Sequence, residues 1–308
     1  MNRRVLLKAL GVTTAGAFLP RFSEAQETPS INNSFTYCLN MATIRGHNLG
    51  FVKELEVASN AGFKSVEIWI DTLQTFLKNG GTIKEAKKRV DDLGIKVENA
   101  IGFAEWIVDD DAKRTAGLEQ MKREMEILAQ LGCKRTAAPP IGATNTAILD
   151  LKKVAERYKA VLELGKTTGV IPQLEMWGFS KNLSRVSEVV YVALESGEPT
   201  AKVLLDVFHL YKGGTDIDTL PLMSTSAIEI LHVNDYPANV PAATITDADR
   251  TFPGDGVAPV KRILQILKNP ERPLIISCEV FNKNYYSKDA LIVAKTALSK
   301  MKEVTEGI

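Results

Sequence analysis

From Phe35 onward the chain alternates short apolar runs with longer segments whose apolar residues recur three and four apart. The runs read as strands: Phe35 to Leu39, Ser65 to Trp69, Lys96 to Ala100, Arg135 to Ala138, Ile171 to Glu175, Val203 to Asp206, Ile228 to Val233 and Leu274 to Glu279. Between them, segments such as Ala112 to Leu131 and Leu149 to Thr167 set charges opposite an apolar face, the pattern of helices covering a sheet. Gly62, Gly94, Gly132 and Gly169 each stand shortly before a strand, where a helix C-terminus calls for a left-handed residue. Strand and helix in regular alternation predict a parallel sheet. Eight such units in about 270 residues match a closed (β/α)8 TIM barrel, an α/β fold, as a single domain over residues 35–303. The structural alternative is an open doubly wound sheet. That fold would carry a Gly-rich phosphate turn after its first strand, whereas Asn40-Met-Ala-Thr-Ile-Arg-Gly46 follows here.

The first residues obey a different pattern. Arg3-Arg4 and Lys8 precede a modest apolar stretch from Ala9 to Leu19, and Ser23-Glu-Ala25 offers a small-x-small cleavage site. Residues 1–26 therefore read as an export signal, and Arg-Arg-Val-Leu-Leu-Lys resembles the twin-arginine type, whose cargo crosses already folded. The polar residues up to 34 read as a linker. The apolar stretch is too short for a stable membrane anchor, so the expected location is the periplasm or another exported compartment.

Composition narrows the partners. With 38 basic against 37 acidic residues the formal charge is +1, which leaves no electrostatic footprint for nucleic acid or an anionic membrane. Cys38, Cys133 and Cys278 lack CxxC spacing and read as core residues rather than a disulfide framework or a zinc knuckle.

The chemistry concentrates at strand ends. Only three histidines occur, and two stand in short acidic motifs directly after apolar runs, Asp206-Val-Phe-His209 and His232-Val-Asn-Asp235. Glu175 and Glu279 close two further strands in the same way. In a barrel the C-terminal strand ends build the active site. Glu175, Asp206, His232 and Glu279 thus form a candidate ligand set for a divalent metal, with oxygen-rich donors that suit Mn, Mg or Co and also permit Zn.

Together Leu174-Glu-Met-Trp177, Leu205-Asp-Val-Phe-His209, Leu231-His-Val-Asn-Asp235, Arg250-x-x-Pro-Gly-Asp-Gly256 and Ser277-Cys-Glu279 resemble the sugar phosphate isomerase/epimerase family with its xylose-isomerase-like TIM barrel. The resemblance spans roughly residues 35 to 303 and keeps the motif order. It implies a metal-dependent sugar isomerase or epimerase, in which Glu175 and Glu279 both bind metal and exchange a proton beside a carbonyl through a metal-stabilised enediolate. It also implies a substrate contact for His209.

Other residues extend the expected site. Arg250 would fork onto substrate oxygens, and Asp235 would support His232, a bound hydroxyl or the next helix. Glu67, which ends the second strand together with Trp69, and Trp106, beside Glu105 in the loop after the third, would contribute substrate contacts, with the rings of Trp69 and Trp106 stacking on a sugar face; packing explains the rings nearly as well. His47 reads as a loop residue. The expected partner is a small carbohydrate or polyol, and a homo-oligomer is compatible with the chain. A keto-sugar or inosose dehydratase or lyase would use the same metal and base, and a non-catalytic sugar-binding barrel would keep the metal alone. A multi-zinc endonuclease is excluded by the shortage of histidine.

Overall fold

The computed structural model describes residues 34–308. The segments read as export signal and linker, apart from Ser34, lie outside the described residues. Eight strands, all parallel to their neighbours, follow one another: β1 Phe35–Asn40, β2 Ser65–Trp69, β3 Lys96–Ile101, β4 Arg135–Ala138, β5 Ile171–Glu175, β6 Lys202–Asp206, β7 Ile230–Val233 and β8 Leu274–Cys278. Their order, β3-β2-β1-β8-β7-β6-β5-β4, is that of a barrel whose two ends are β3 and β4. No main-chain ladder joins that last pair, and side chains bridge it instead. The Thr136 hydroxyl donates to the Ala100 carbonyl at 3.3 Å, and Arg135 Nη1 donates to the Glu98 carbonyl at 3.3 Å. The result is a nearly closed TIM barrel.

The expected strands are found with small shifts at their ends. β7 begins at Ile230 rather than Ile228, because the Ile228 N–H closes a turn onto the Thr225 carbonyl and its own carbonyl accepts from Arg272. Between β2 and β3 the chain forms two helices, Ile70–Lys78 and Ile83–Asp92, the second begun by a capping box between Thr82 and Glu85. The long helices start at aspartate caps: Asp110 accepts from the Lys113 N–H and Asp150 from the Lys152 N–H. Gly62, Gly132 and Gly169 end their helices at φ of 99°, 88° and 74°, a region in which a side chain is strained.

Outside the strands, a continuous apolar layer packs the helices onto the sheet. Inside, period-2 alternation turns every second residue towards the axis. Two small apolar clusters, Cys38 with Ile230 and Ile275 and Ile101 with Ala137 and Leu204, are separate from the outer core. All three cysteines are buried and free. A register shift between Val66 and Glu67 skips Glu98 and sets Asn99 opposite Glu67. That shift brings an amide beside a carboxylate in the barrel interior.

Candidate active site at the strand ends

His232 is the centre of the arrangement. It lies on β7 with no exposed surface, between one carboxylate below and three beside it. Below, Glu67 takes Nε2 at 3.0 Å; its oxygens also accept from Asn99 Nδ2 at 2.6 Å, Asn40 Nδ2 at 2.9 Å and the Ser277 hydroxyl at 2.7 Å. An Nε2–H bond to Glu67 leaves Nδ1 as the free ring nitrogen. Nδ1 makes no hydrogen bond, although Glu279 Oε2 stands 3.2 Å away, Asp206 Oδ2 3.6 Å and Glu175 Oε1 3.9 Å.

Each carboxylate is aimed by its own support. Asp206 accepts the His209 N–H at 3.0 Å through Oδ1, which caps a short helix, and Asn234 Nδ2 reaches both of its oxygens. Glu279 accepts from Asn40 Nδ2 at 3.0 Å, so Asn40 joins the carboxylate below His232 to one beside it. Glu175 keeps one buried oxygen, Oε2, without a partner.

Electrostatics follow from burying four carboxylates around one imidazole. Burial opposes charge on His232, but Glu279 and Glu67 overcome it and hold its pKa well above that of a free imidazole. Burial is the largest influence on Glu67 and raises it, but the adjoining His232 charge together with hydrogen bonds from His232, Ser277 and Asn99 leaves its pKa below the ordinary value. Asp206, despite burial, is pulled to about 2 by Arg250 and the two histidines. Glu175 goes the other way, to about 8, because burial and the neighbouring Glu279 charge outweigh His232.

Arg250 is the fixed cation. Its side chain is 1% exposed, Nη1 donates to Asp206 Oδ2 at 2.8 Å and Glu279 Oε2 at 2.9 Å, and Nη2 donates to Asp247 at 2.5 Å. Phe208 lies 4.4 Å beneath the guanidinium. Nη2 also meets His209 Nε2 at 3.3 Å, which must accept and so places the ring proton on Nδ1, a buried donor without a partner. Burial lowers the His209 pKa to about 4, against the pull of Asp206, which keeps that ring neutral.

The donor set fits a divalent ion. Two ligands about 2.1 Å from one ion at tetrahedral or octahedral angles stand about 3.0–3.4 Å apart, close to the separations around Nδ1. Among the described residues, Asp206, His232 and Glu279 group their donor atoms within 4.8 Å of one another. With its Nδ1 proton displaced, His232 would present a nitrogen to three carboxylates, a donor set of the kind that holds a divalent cation.

Above the carboxylates lies a cavity of about 210 Å³, walled by Trp69, Phe103, Trp177, Phe179 and Phe281, with Glu175, His209, Arg250, Asp247 and Glu279 at its polar side. A family model described as a xylose isomerase-like TIM barrel matches residues 55–303. The chain belongs to that family. An inosose isomerase of Halalkalibacterium halodurans is 30% identical over 274 residues, covering 87% of this chain and 95% of that protein. Another, from Bacillus subtilis, is 24% identical over 276 residues, covering 87% and 95%. Among solved structures, a zinc-bound IolI protein superposes with a TM-score of 0.79 at 21% identity, over 88% of this chain and 98% of that one. An L-ribulose 3-epimerase gives 0.71 at 17% identity, over 88% and 95%. At these identities the structural likenesses speak for the fold.

Within this xylose isomerase-like barrel, the expected residues fall into two groups. Glu175, Asp206, His232, Glu279, His209 and Arg250 come together at one end of the barrel. Three expected substrate contacts are placed elsewhere. Glu67 has no exposed surface and lies under His232, so it is a support for the ring and does not reach the cavity. Trp106 is wholly buried, donates Nε1 to the Pro139 carbonyl at 2.9 Å and packs on Tyr158. Asp235 accepts from the N–H groups of Tyr236, Gly254 and Ala258, stitching the loop that follows Arg250. His47 has both ring nitrogens at carbonyls, of Ile44 and Lys288, and is a loop tie.

Apart from Trp69, no residue of the aromatic wall was an expected substrate contact, although Trp177 stands in the Leu174-Glu-Met-Trp177 motif. The wall's signal is period 2: Trp69, Phe103, Trp177 and Phe281 each stand two residues beyond an axis-facing residue, Glu67, Ile101, Glu175 and Glu279. A strand-end residue and the one two places on share a face. Trp106 breaks that rule by lying five residues past Ile101.

Proposed function

We propose that the protein is a divalent-metal-dependent isomerase or epimerase of an uncharged keto-sugar or keto-polyol, of the inosose kind on which its relatives act by name. The observation that carries this is the convergence of Glu175, Asp206 and Glu279 on the unpartnered Nδ1 of His232. Those four residues would hold the metal, which when bound would polarise a substrate carbonyl and ease proton loss beside it. Glu175 ends β5 and Glu279 directly follows β8, both border the cavity, and they would take and return the proton from opposite sides of the reacting carbon. His209 would donate its Nδ1 proton to a substrate oxygen, and Arg250 would hold Asp206 and Glu279 in position while lining the same cavity. The five rings would cover the apolar faces of the ring and exclude water. A cavity of about 210 Å³ is smaller than the roughly 300–1,000 Å³ common for drug-sized ligands, which suits one six-membered ring.

The test is turnover of inososes and free ketoses by metal-stripped protein to which Mn, Mg, Co or Zn is returned, with products read by NMR. Restoration by at least one metal with an isomer as product supports the proposal; an unsaturated product would assign elimination instead. Activity equal with and without metal would overturn it. We also propose that the protein acts after export, on the strength of Arg3-Arg4 and the short apolar stretch. Replacing both arginines with lysine should leave the protein in the cytoplasm.

A further inference from the structure

The polar side of the active-site cavity is uneven in its contact with solvent. Glu175, His209, Arg250 and Glu279 are at most 5% exposed, whereas the side chain of Asp247, which lines the same cavity, is 42% exposed. Of the aromatic wall, Phe179 is likewise 43% exposed, and it packs on His209 with ring centroids 5.4 Å apart. Asp247 and Phe179 thus stand at the mouth, where an entering ligand meets them first.

The chain holds Asp247 in place from both sides. It opens a single turn, Asp247–Asp249, fixed by hydrogen bonds from the Thr246 N–H and hydroxyl to Asp249 Oδ2, both at 2.8 Å. The loop before that turn is tied down by Lys212, whose Nζ donates to the Ala243 and Ile245 carbonyls at 3.0 Å, and by Tyr211, stacked on Tyr236 at 4.0 Å. The Asp247 carboxylate uses one oxygen internally: Oδ1 accepts from Arg250 Nη2, and Oδ2 has no hydrogen-bond partner among the described residues. That pair also silences the cation. Arg250 is the only lysine or arginine lining the cavity among the described residues, and its four terminal N–H groups go to Asp206, Glu279, Asp247 and His209.

A divalent ion at His232 would not reverse the sign of the site. With Arg250 it would bring three positive charges, against the four carboxylates of Glu67, Asp206, Asp247 and Glu279 before Glu175 is counted. We propose that Asp247 selects an uncharged substrate. Its open oxygen takes a hydroxyl at the end of the ring that faces solvent, beside the apolar face of Phe179, and a phosphate or carboxylate at that position is turned away. Two effects act together there: the charge of Asp247 repels the anion, and its bond to Nη2 withholds the guanidinium. A negative charge about 6 Å from the carboxylate, at an effective dielectric of about 40, disfavours binding about tenfold. The link to turnover rests on the isomerase or epimerase assignment; the preference in binding stands by itself.

The experiment uses the full chain, with Mg present and again with chelator, and has two arms. Calorimetry measures binding of three unreactive ligands: myo-inositol, its monophosphate, and a neutral inositol methyl ether that controls for size. Deuterium exchange from heavy water measures kcat/KM for a free ketose and for the matching ketose phosphate. Asp247→Asn keeps an acceptor for Arg250 and removes the charge, Asp247→Ala removes both, and Asp218→Asn is a surface control whose carboxylate pairs with Arg262; all are checked by thermal melting. The wild type should prefer inositol over its phosphate by at least about tenfold, and by less at about 0.5 M salt, where the screening length is about 4 Å. Asp247→Asn should bring the two ligands to within about threefold, Asp247→Ala should also weaken inositol binding about tenfold, and the control should change neither. Absence of inositol binding to the wild type, equal binding of inositol and its phosphate, rejection of the methyl ether as strong as that of the phosphate, or a parallel loss on both ligands in folded Asp247→Asn would overturn the proposal. A preference that moves with Asp247 while no ketose exchanges would instead overturn the isomerase or epimerase assignment alone. Exchange whose preference for the free ketose survives in Asp247→Asn would overturn the selectivity alone.

Discussion

Replacing Glu67 with glutamine tests whether this carboxylate governs the proposed metal site from beneath His232. The wild-type carboxylate serves Asn99 and His232 at Oε1, and Asn40 and Ser277 at Oε2. Glutamine keeps one acceptor oxygen and turns the other into a donor. Ser277 can rotate to accept, so the least harmful orientation puts the new amide at Oε2 and leaves the Asn40 amide facing it. One buried unsatisfied donor costs about 1–3 kcal/mol. The imidazole also loses its charged support, and such changes typically weaken metal binding by about 10–100-fold, or about 1.4–2.7 kcal/mol. Competition with a chromophoric chelator should therefore show Glu67→Gln binding metal about 10–100-fold more weakly, with near-normal KM once metal is saturating. An unchanged metal Kd with a large rise in KM would refute the reasoning and return Glu67 to the substrate.

Two further outcomes follow from burial. Glu54 has its pKa raised from about 4.5 to about 7, so folding is favoured by its protonated form below pH 4.5 and that contribution is lost as pH rises through 7; the shift corresponds to an upper value of about 3 kcal/mol. Glu54→Gln should raise Tm relative to wild type at pH 8 and have little effect at pH 4.5, and a difference independent of pH would contradict the assignment. Trp106→Phe should cost about 1–3 kcal/mol of stability, from the lost bond to Pro139 and the smaller ring, with kcat and KM unchanged at a temperature where the variant is folded. A raised KM with unchanged stability would place Trp106 at the substrate after all.

Much of this molecule is legible in its sequence because barrel chemistry sits where apolar runs end. The runs before Glu175, Asp206, His232 and Glu279 are short, β-rich and regularly spaced, and each delivers its polar residue to the same end of the barrel. Glu67 obeys the same pattern as the proposed ligands. Only the register shift that sets Asn99 opposite it, and the depth at which it meets His232, distinguish a support from a substrate contact. Asp235 follows His232 closely, yet it pairs with Thr251 in an antiparallel bridge and its carboxylate is taken by three loop N–H groups. Such long-range choices leave no mark on local spacing. The aromatic wall did leave one, the two-residue step beyond each axis-facing position, whereas Trp106 attracted notice by chemistry alone.

The most direct test of the central claim is proton exchange in heavy water on an inosose or ketose, comparing wild type, Glu175→Gln and Glu279→Gln, each with saturating metal and again with chelator. Deuterium should enter beside the carbonyl only in the wild type with metal. Exchange by both folded variants at the wild-type rate, or exchange that persists after chelation, would contradict the account.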